Sequence, residues 1–94
     1  MESLNRKPDL SSKGSFKLGE DTIEIINIKV RDIQRITNNK SLSDFDKGIN
    51  IAAAKMLVNG KSIVADDLLD KFNEYELKKV FEFIEEVEGS EKND

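Results

Sequence analysis

Two pairs of adjacent carboxylates, Asp66–Asp67 and Glu85–Glu86, are the residues of this sequence whose types best suit chemistry. Neighbouring carboxyl groups can divide general acid and base roles or hold a divalent cation. Consecutive residues on a helix point in different directions, so neither pair is expected to converge on one reacting atom. We therefore interpret both pairs as solvated side chains, with Asp66 and Asp67 suited to the positive end of a helix dipole.

Other residues and motifs typical of catalytic sites are missing from the sequence. The 94 residues include no His and no Cys, and the 5 glycines are scattered. The commonest general base, the commonest metal ligand, disulfides and thiolate metal sites are therefore excluded, and there is no glycine-rich phosphate loop. We expect a protein that is not an enzyme, with no catalytic residue, no metal and no cofactor. A carboxylate-only metal enzyme using Asp66 and Asp67 is the weaker hypothesis, and it predicts stabilisation by Mg²⁺ or Mn²⁺.

The charge is −4 overall and is unevenly distributed. Lys and Arg number eight against six Asp and Glu in residues 1–40, but seven against thirteen in residues 41–94. The acidic second part would repel phosphate backbones, so no nucleic-acid partner is expected. No apolar run is long enough to cross a bilayer and no signal peptide is apparent, so we expect no membrane association and a cytoplasmic location.

Hydrophobic periodicity predicts the elements that carry these side chains. Residues 1–14 are predicted to be a flexible arm, residues 15–88 a single α+β domain, and residues 89–94 a flexible tail. The domain is predicted to be a short N-terminal β-hairpin followed by about four α-helices, and mainly helical. The hairpin turns at Gly19. Its second strand places isoleucines at 23, 25, 26 and 28, which requires either a β-bulge or burial of both faces.

The period changes after the hairpin. Val30, Ile33 and Ile36 lie three apart and predict a short helix, which the following asparagines would end in the left-handed conformation. A second helix is predicted to begin with a capping box at Ser41 and Asp44 and to stop at the Asn-Gly of residues 59–60. Its buried stripe comprises Leu42, Phe45, Ile49, Ala52, Ala53 and Met56.

The reverse face of this second helix is also apolar in its later half. It carries Ile51, Ala54 and Val58, and the alanines would let another backbone approach closely. A helix that is apolar nearly all round is buried on two sides or covered by a partner. We predict a partner-binding surface formed by Ile51, Ala54 and Val58, with Phe83 at the edge of the last helix. The hairpin edge offers a route to self-association.

Two more helices complete the chain. A short one is predicted from about Asp66 to Phe72. The last begins at a capping box of Asn73 and Glu76, with Phe72 and Leu77 at hydrophobic-staple positions, and Gly89 closes it. Its buried stripe comprises Leu77, Val80, Phe81, Ile84 and Val87.

Residues 41–72 also admit a second interpretation, as two helices around a glycine turn. That arrangement would make the chain a small helix-turn-helix-like DNA-binding regulator. A recognition helix normally carries Arg, Lys, Asn or Gln towards the groove, whereas this one would present Asp66, Asp67 and Asp70. The alternative predicts a mobility shift with duplex DNA at low salt.

The joint between strand and helix, "IKVRDI", resembles the small tail assembly chaperones of Mu-like and P2-like bacteriophages. The "VRD" is Val30, Arg31 and Asp32. The alanine-rich "NIAAAKML" and the later "DDLLDKFNEYELKKVFEFI" are similar to the second half of that family, and the similarity spans roughly residues 15–88.

The resemblance implies a phage or prophage tail assembly chaperone in the bacterial host cytoplasm. Such a protein covers the apolar, helical tape measure protein until tail tube subunits replace it. The implied partner is thus a helical protein, and no catalysis is required. The composition agrees in kind, because temporary cover for an apolar helix needs apolar grooves with acidic residues outside them.

Overall fold

A computed structural model of the chain describes residues 6–7 and 10–92, with side chains up to residue 89. Much of the predicted arm at residues 1–14, and the end of the predicted tail, therefore lie outside the described residues. Eight elements follow in order: β1 Ser12–Leu18, β2 Asp21–Ile26, α1 Val30–Thr37, α2 Asp44–Ala54, β3 Met56–Val58, β4 Lys61–Ser62, α3 Ala65–Lys71 and α4 Glu74–Lys92. The α+β class is confirmed.

The four strands form one antiparallel sheet in the order β1-β2-β3-β4. The predicted first hairpin is present, with Gly19 at a φ of 65° in its turn. Its first strand begins at Ser12, four residues before the first apolar residue of the alternation, Phe16, so residues 12–14 of the predicted flexible arm belong to the strand. The β-bulge is also present, but it falls in β1 between Ser12 and Gly14, not in the isoleucine-rich strand.

The second hairpin, β3–β4, was not expected from the sequence. The second helix was predicted to continue to the Asn-Gly of residues 59–60, but it ends at Ala54. Residues 56–58 form a strand of the sheet instead, where Ile23 pairs with Val58 and Ile25 pairs with Met56. Asn59 and Gly60 have φ values of 54° and 81°, as a two-residue hairpin turn requires. The placement of Val58 on a helix was therefore wrong.

The core lies between one face of the sheet and three of the helices. Side-chain alternation puts Ile23 and Ile25 of β2 and Met56 of β3 on that face. The buried residues of the core are Ile23, Ile25, Ile49, Ala52, Ala53, Met56, Leu68, Val80 and Ile84. These residues come from β2, β3, α2, α3 and α4. Helix α1 contributes none of them, and its first residue, Val30, is 79% exposed.

Side-chain caps fix the starts of two helices. The Asn73–Glu76 capping box is confirmed, because Glu76 N donates to Asn73 Oδ1 at 2.8 Å and Asn73 N donates to Glu76 Oε1 at 3.0 Å. At α2 the predicted cap is displaced by two residues. Ser43, not Ser41, is the N-cap and accepts from Asp46 N at 3.1 Å.

Two predicted helix ends differ from the structure. Asn38 follows α1 with a φ of −86°, so the helix does not end in the left-handed conformation that was expected. Helix α4 continues through Gly89 to Lys92, because glycine weakens a helix without preventing it. No helix within residues 6–7 and 10–92 combines the length and the apolar character needed to cross a membrane.

Candidate protein-binding groove

The four predicted contact residues do not form one patch. Ile51 lies on α2 in a hollow beside α4, whereas Ala54, the last residue of α2, lies in a separate hollow beside α1 and the start of α3. Val58 is in β3 and packs against the core. Phe83 is on α4 and faces β1. Of the four, only Ile51 lies in the groove described below.

Phe83 joins the last helix to the first strand. Its ring centroid lies 4.6 Å from that of Phe16, with the planes tilted by 40°. A Cβ added to Gly14 would lie 3.4 Å from Phe83 Cζ, so the strand approaches the ring closely. Phe83 is partly buried by these contacts, and its first role is to close α4 onto the sheet.

Two apolar hollows lined by α2 and α4 share Phe81, and we call them together the α2–α4 groove. They measure about 390 Å³ and about 190 Å³. The apolar lining of the groove comprises Phe45, Gly48, Ile51 and Ala52 from α2 and Leu77, Phe81 and Ile84 from α4. The charged residues at its margins are Lys55, Glu74, Lys78, Glu82 and Glu85.

The two helices that form the groove run in the same direction. Phe45, at the start of α2, shares a hollow with Leu77, near the start of α4. At the other end, Lys55 of the narrower hollow forms a partly buried ion pair with Glu88, with Nζ 2.6 Å from Oε2. From Phe45 to Lys55 the groove extends about 15 Å along α2. That length corresponds to roughly three turns of a helix laid along it.

Phe45 is the most informative residue of the groove. The sequence placed it in the buried stripe of the second helix, yet it is 61% exposed. Its ring lies in the same hollow as Leu77 and Phe81, which are only partly buried. Exposed aromatic side chains next to apolar hollows are frequent anchors of protein–protein interfaces.

The rim of the groove is predominantly acidic. Glu74, Glu82 and Glu85 line its wider hollow with a single basic residue, Lys78. Within the described part of the chain, neither Glu82 nor Glu85 forms an ion pair with a Lys or Arg. An apolar floor with unneutralised carboxylates at its edge favours a partner that is apolar in the middle and basic at the sides.

The carboxylate pairs do not belong to a metal-binding cluster among the described residues. No group of three or more Asp, Glu, His or Cys there could hold a metal ion. Asp67 instead completes the start of α3: the Val64 backbone N–H donates to Asp67 Oδ2 at 2.9 Å, and Lys71 Nζ lies 3.0 Å from Oδ1. The Val64 hydrogen bond, and then Lys71, hold the pKa of Asp67 below its ordinary 3.8.

The helices of the DNA-binding alternative are α2 and α3, and they do pack against each other. The segment that joins them contains the β3–β4 hairpin, with strands at Met56–Val58 and Lys61–Ser62. A helix-turn-helix motif connects its helices by a turn of about three to four residues. The predicted helix-turn-helix arrangement is therefore not the one that forms.

The predicted hairpin edge belongs to β1, which is the outermost strand of the sheet. Within residues 6–7 and 10–92 no strand pairs with its outer side. Two lysines, Lys13 and Lys17, lie on this strand, and edge lysines are a common means of discouraging strand addition.

Glycine at position 48 was not singled out in the sequence, although one signal marks it. It lies in the interior of α2, where glycine is unfavourable, and it lines the narrower hollow of the groove.

Comparisons with known proteins add no further information: no protein-family model, no curated protein and no solved structure matches the chain.

Proposed function

We propose that the chain is a non-catalytic protein-binding module that covers an apolar helix of a partner protein in the α2–α4 groove. The observation that carries the proposal is the groove itself, with seven apolar or small lining residues and a solvent-exposed Phe45 within it. Helix-in-groove recognition uses this combination of an elongated apolar channel and a polar rim.

The resemblance to phage tail assembly chaperones supports a specific form of this proposal. In that form the partner is a tape measure protein, the site of action is the cytoplasm of the bacterial host, and the cover is temporary. The acidic rim fits temporary cover, because charged residues around an apolar channel maintain solubility when the partner has left.

The proposal predicts that a long helical protein is encoded beside this gene, and the test is co-expression with that protein, followed by affinity capture through a tag on it. The wild-type chain is expected to co-purify. Phe45→Asp places a charge on the apolar lining of the groove and should abolish capture, and Ile51→Asp should weaken it.

Leu69→Asp is the matched control for this experiment. Leu69 is also a large apolar residue on a helix, is 46% exposed, and is not among the groove's lining residues. It should leave capture unchanged. Val58→Asp is unsuitable as an interface test, because Val58 packs against the core. Equal capture of wild-type and Phe45→Asp chains, both folded by circular dichroism, would refute binding through this groove.

A further inference from the structure

Gly48 lies at a helical position where the fold itself has no need of a glycine. It is in the interior of α2, a location where glycine is among the least favourable residues. Its φ is not positive, since only Gly19 and Gly60 among the described glycines have positive φ. A Cβ added at Gly48 would meet no heavy atom within 4 Å, so no neighbouring group excludes a side chain.

The absence of a side chain at Gly48 affects the surface of the groove rather than the packing of the core. Gly48 lines the narrower hollow of the α2–α4 groove, opposite Phe81 and Ile84. Two further apolar residues of α2 line this hollow: Ala52, one turn after Gly48, is small and buried, whereas Ile51 is large and lies beside it. The backbone of α2 is therefore accessible from the groove at this point. The distance between two packed helix axes depends on the side chains at their contact, and small residues permit the closest approach.

We infer that a partner helix crosses α2 at Gly48, presenting a small residue there and basic residues to Glu82 and Glu85. This inference rests on the proposed function and specifies its partner. The partner is an amphipathic helix with Ala or Gly in the middle of its apolar face and Lys or Arg along its flanks.

Two features of the structure select this partner. The hollow beside Gly48 measures about 190 Å³, which is smaller than the roughly 300 Å³ at which small-molecule pockets begin. A close helix contact fits such a shallow site better than an enclosed ligand does. Two carboxylates of the adjoining wider hollow, Glu82 and Glu85, have no cationic partner among the described residues, whereas Lys55 of the narrower hollow is paired with Glu88. They supply charge complementarity to a basic flank and disfavour an acidic one.

The probes for the test are two synthetic helical peptides of about 20 residues, long enough to be helical in water. Both carry Leu on the apolar face with Ala at its centre. One has Lys along the flanks and the other has Glu. Binding to the full chain is measured by fluorescence anisotropy at low salt. The Lys-flanked peptide is expected to bind at least about tenfold more tightly than the Glu-flanked peptide.

Substitutions of Gly48 then test whether the partner helix crosses α2 at this residue. Gly48→Ala should raise the Tm, because alanine favours helix, and should weaken binding of the Lys-flanked peptide several-fold. Gly48→Leu fills the hollow and should weaken binding by more than about tenfold. Gly89→Ala and Gly89→Leu are the matched controls. Gly89 is also a helical glycine with nothing within 4 Å of an added Cβ, but it does not line the groove.

Each outcome decides one part of the inference. Unchanged binding by Gly48→Leu, with binding lost in Phe45→Asp, overturns the crossing point and leaves the proposed function standing. Unchanged binding in both variants overturns the proposed function as well. Equal or tighter binding of the Glu-flanked peptide, or no binding of the Lys-flanked peptide to the wild-type chain, overturns the basic partner. If Gly48→Leu lowers the Tm, Gly48→Ala alone decides the crossing point.

Discussion

Asn59 holds the start of β2 although it is 37 residues away from Thr22 in sequence. Its side-chain Oδ1 accepts a hydrogen bond from Thr22 N at 2.9 Å, and its own N–H donates to Thr22 O at 2.8 Å. Its Nδ2 donates to Asp21 Oδ1 at 2.9 Å. One turn residue thus links the two hairpins of the sheet.

Substitutions of Asn59 should distinguish the contribution of its side-chain hydrogen bonds to stability from that of its left-handed backbone conformation. Asn59→Gly keeps the positive φ but removes the side-chain bonds, so we expect a loss of about 1 kcal/mol. Asn59→Ala removes the same bonds and, unlike the glycine variant, keeps a Cβ in the left-handed region, which costs roughly 1 kcal/mol more. Urea denaturation measures both losses. Equal stability of the two variants would show that the left-handed backbone contributes nothing here.

The capping box of α4 should behave as a coupled pair. Asn73→Ala removes the acceptor for Glu76 N and should cost about 1 kcal/mol. Glu76→Ala should cost less, since only the exposed N–H of Asn73 loses its partner. Because the two side chains share one cap, the double variant should lose less than the sum of the single losses. Strictly additive losses in a double-mutant cycle would contradict a reciprocal box.

The core and the groove should differ sharply in their contribution to stability. Leu68 is 1% exposed, and Leu68→Ala should cost about 2–5 kcal/mol. Phe45→Ala should stay within about 0.5 kcal/mol of the wild type, because its ring is mainly in water. The loss of stability in Phe81→Ala should fall between these two values, since Phe81 packs against the core and also lines the groove. Denaturant midpoints rank the three, and a Phe45→Ala loss as large as that of Leu68→Ala would mean that Phe45 belongs to the core.

The stability of the fold should depend on pH through Asp67. Its folded-state pKa lies below the ordinary 3.8, so its contribution is complete above that value and is lost as the pH falls through the folded-state pKa. In Asp67→Asn the group no longer titrates, so the decline in Tm below about pH 4 should be shallower than in the wild type. Asp70→Asn, also in α3, is the control. Identical acid profiles for wild type and Asp67→Asn would exclude this contribution.

Local patterns predicted the elements that depend on neighbours in sequence. Alternating apolar residues around Gly19 gave the first hairpin, and the three-residue spacing of Asn73 and Glu76 gave the start of α4. The same kind of pattern was ambiguous at α2, where Ser41 and Ser43 each precede an aspartate by three residues. Only the packed structure selects Ser43.

Features that depend on distant partners were missed. Met56–Val58 follows "IAAAK" without a breaker, so its apolar residues continue a helical stripe. It becomes a strand because β2 offers a pairing edge, which is a tertiary effect that periodicity cannot report. The Asn59–Gly60 dipeptide was the available signal for a hairpin, and it was interpreted as a helix stop.

The groove was accessible to sequence reasoning only in part. The excess of apolar surface on the second helix was recognised, and Ile51 does line the groove. Periodicity assigns a residue to a face but does not give the distance to the next helix. Phe45 was therefore placed in the core, while Ala54 and Phe83 were grouped with Ile51 although they lie in different places.

The order of the elements along the chain has a consequence during translation. The groove needs α2 and α4, and the sheet beneath it needs β3 to pair with β2, which was made more than thirty residues earlier. A nascent chain that has reached only α3 therefore exposes one wall of the groove without the other. Under the proposed function, capture of a partner helix would begin only after residues 74–92 have left the ribosome. Pausing of synthesis ahead of α4 would delay that capture, however early the first hairpin forms.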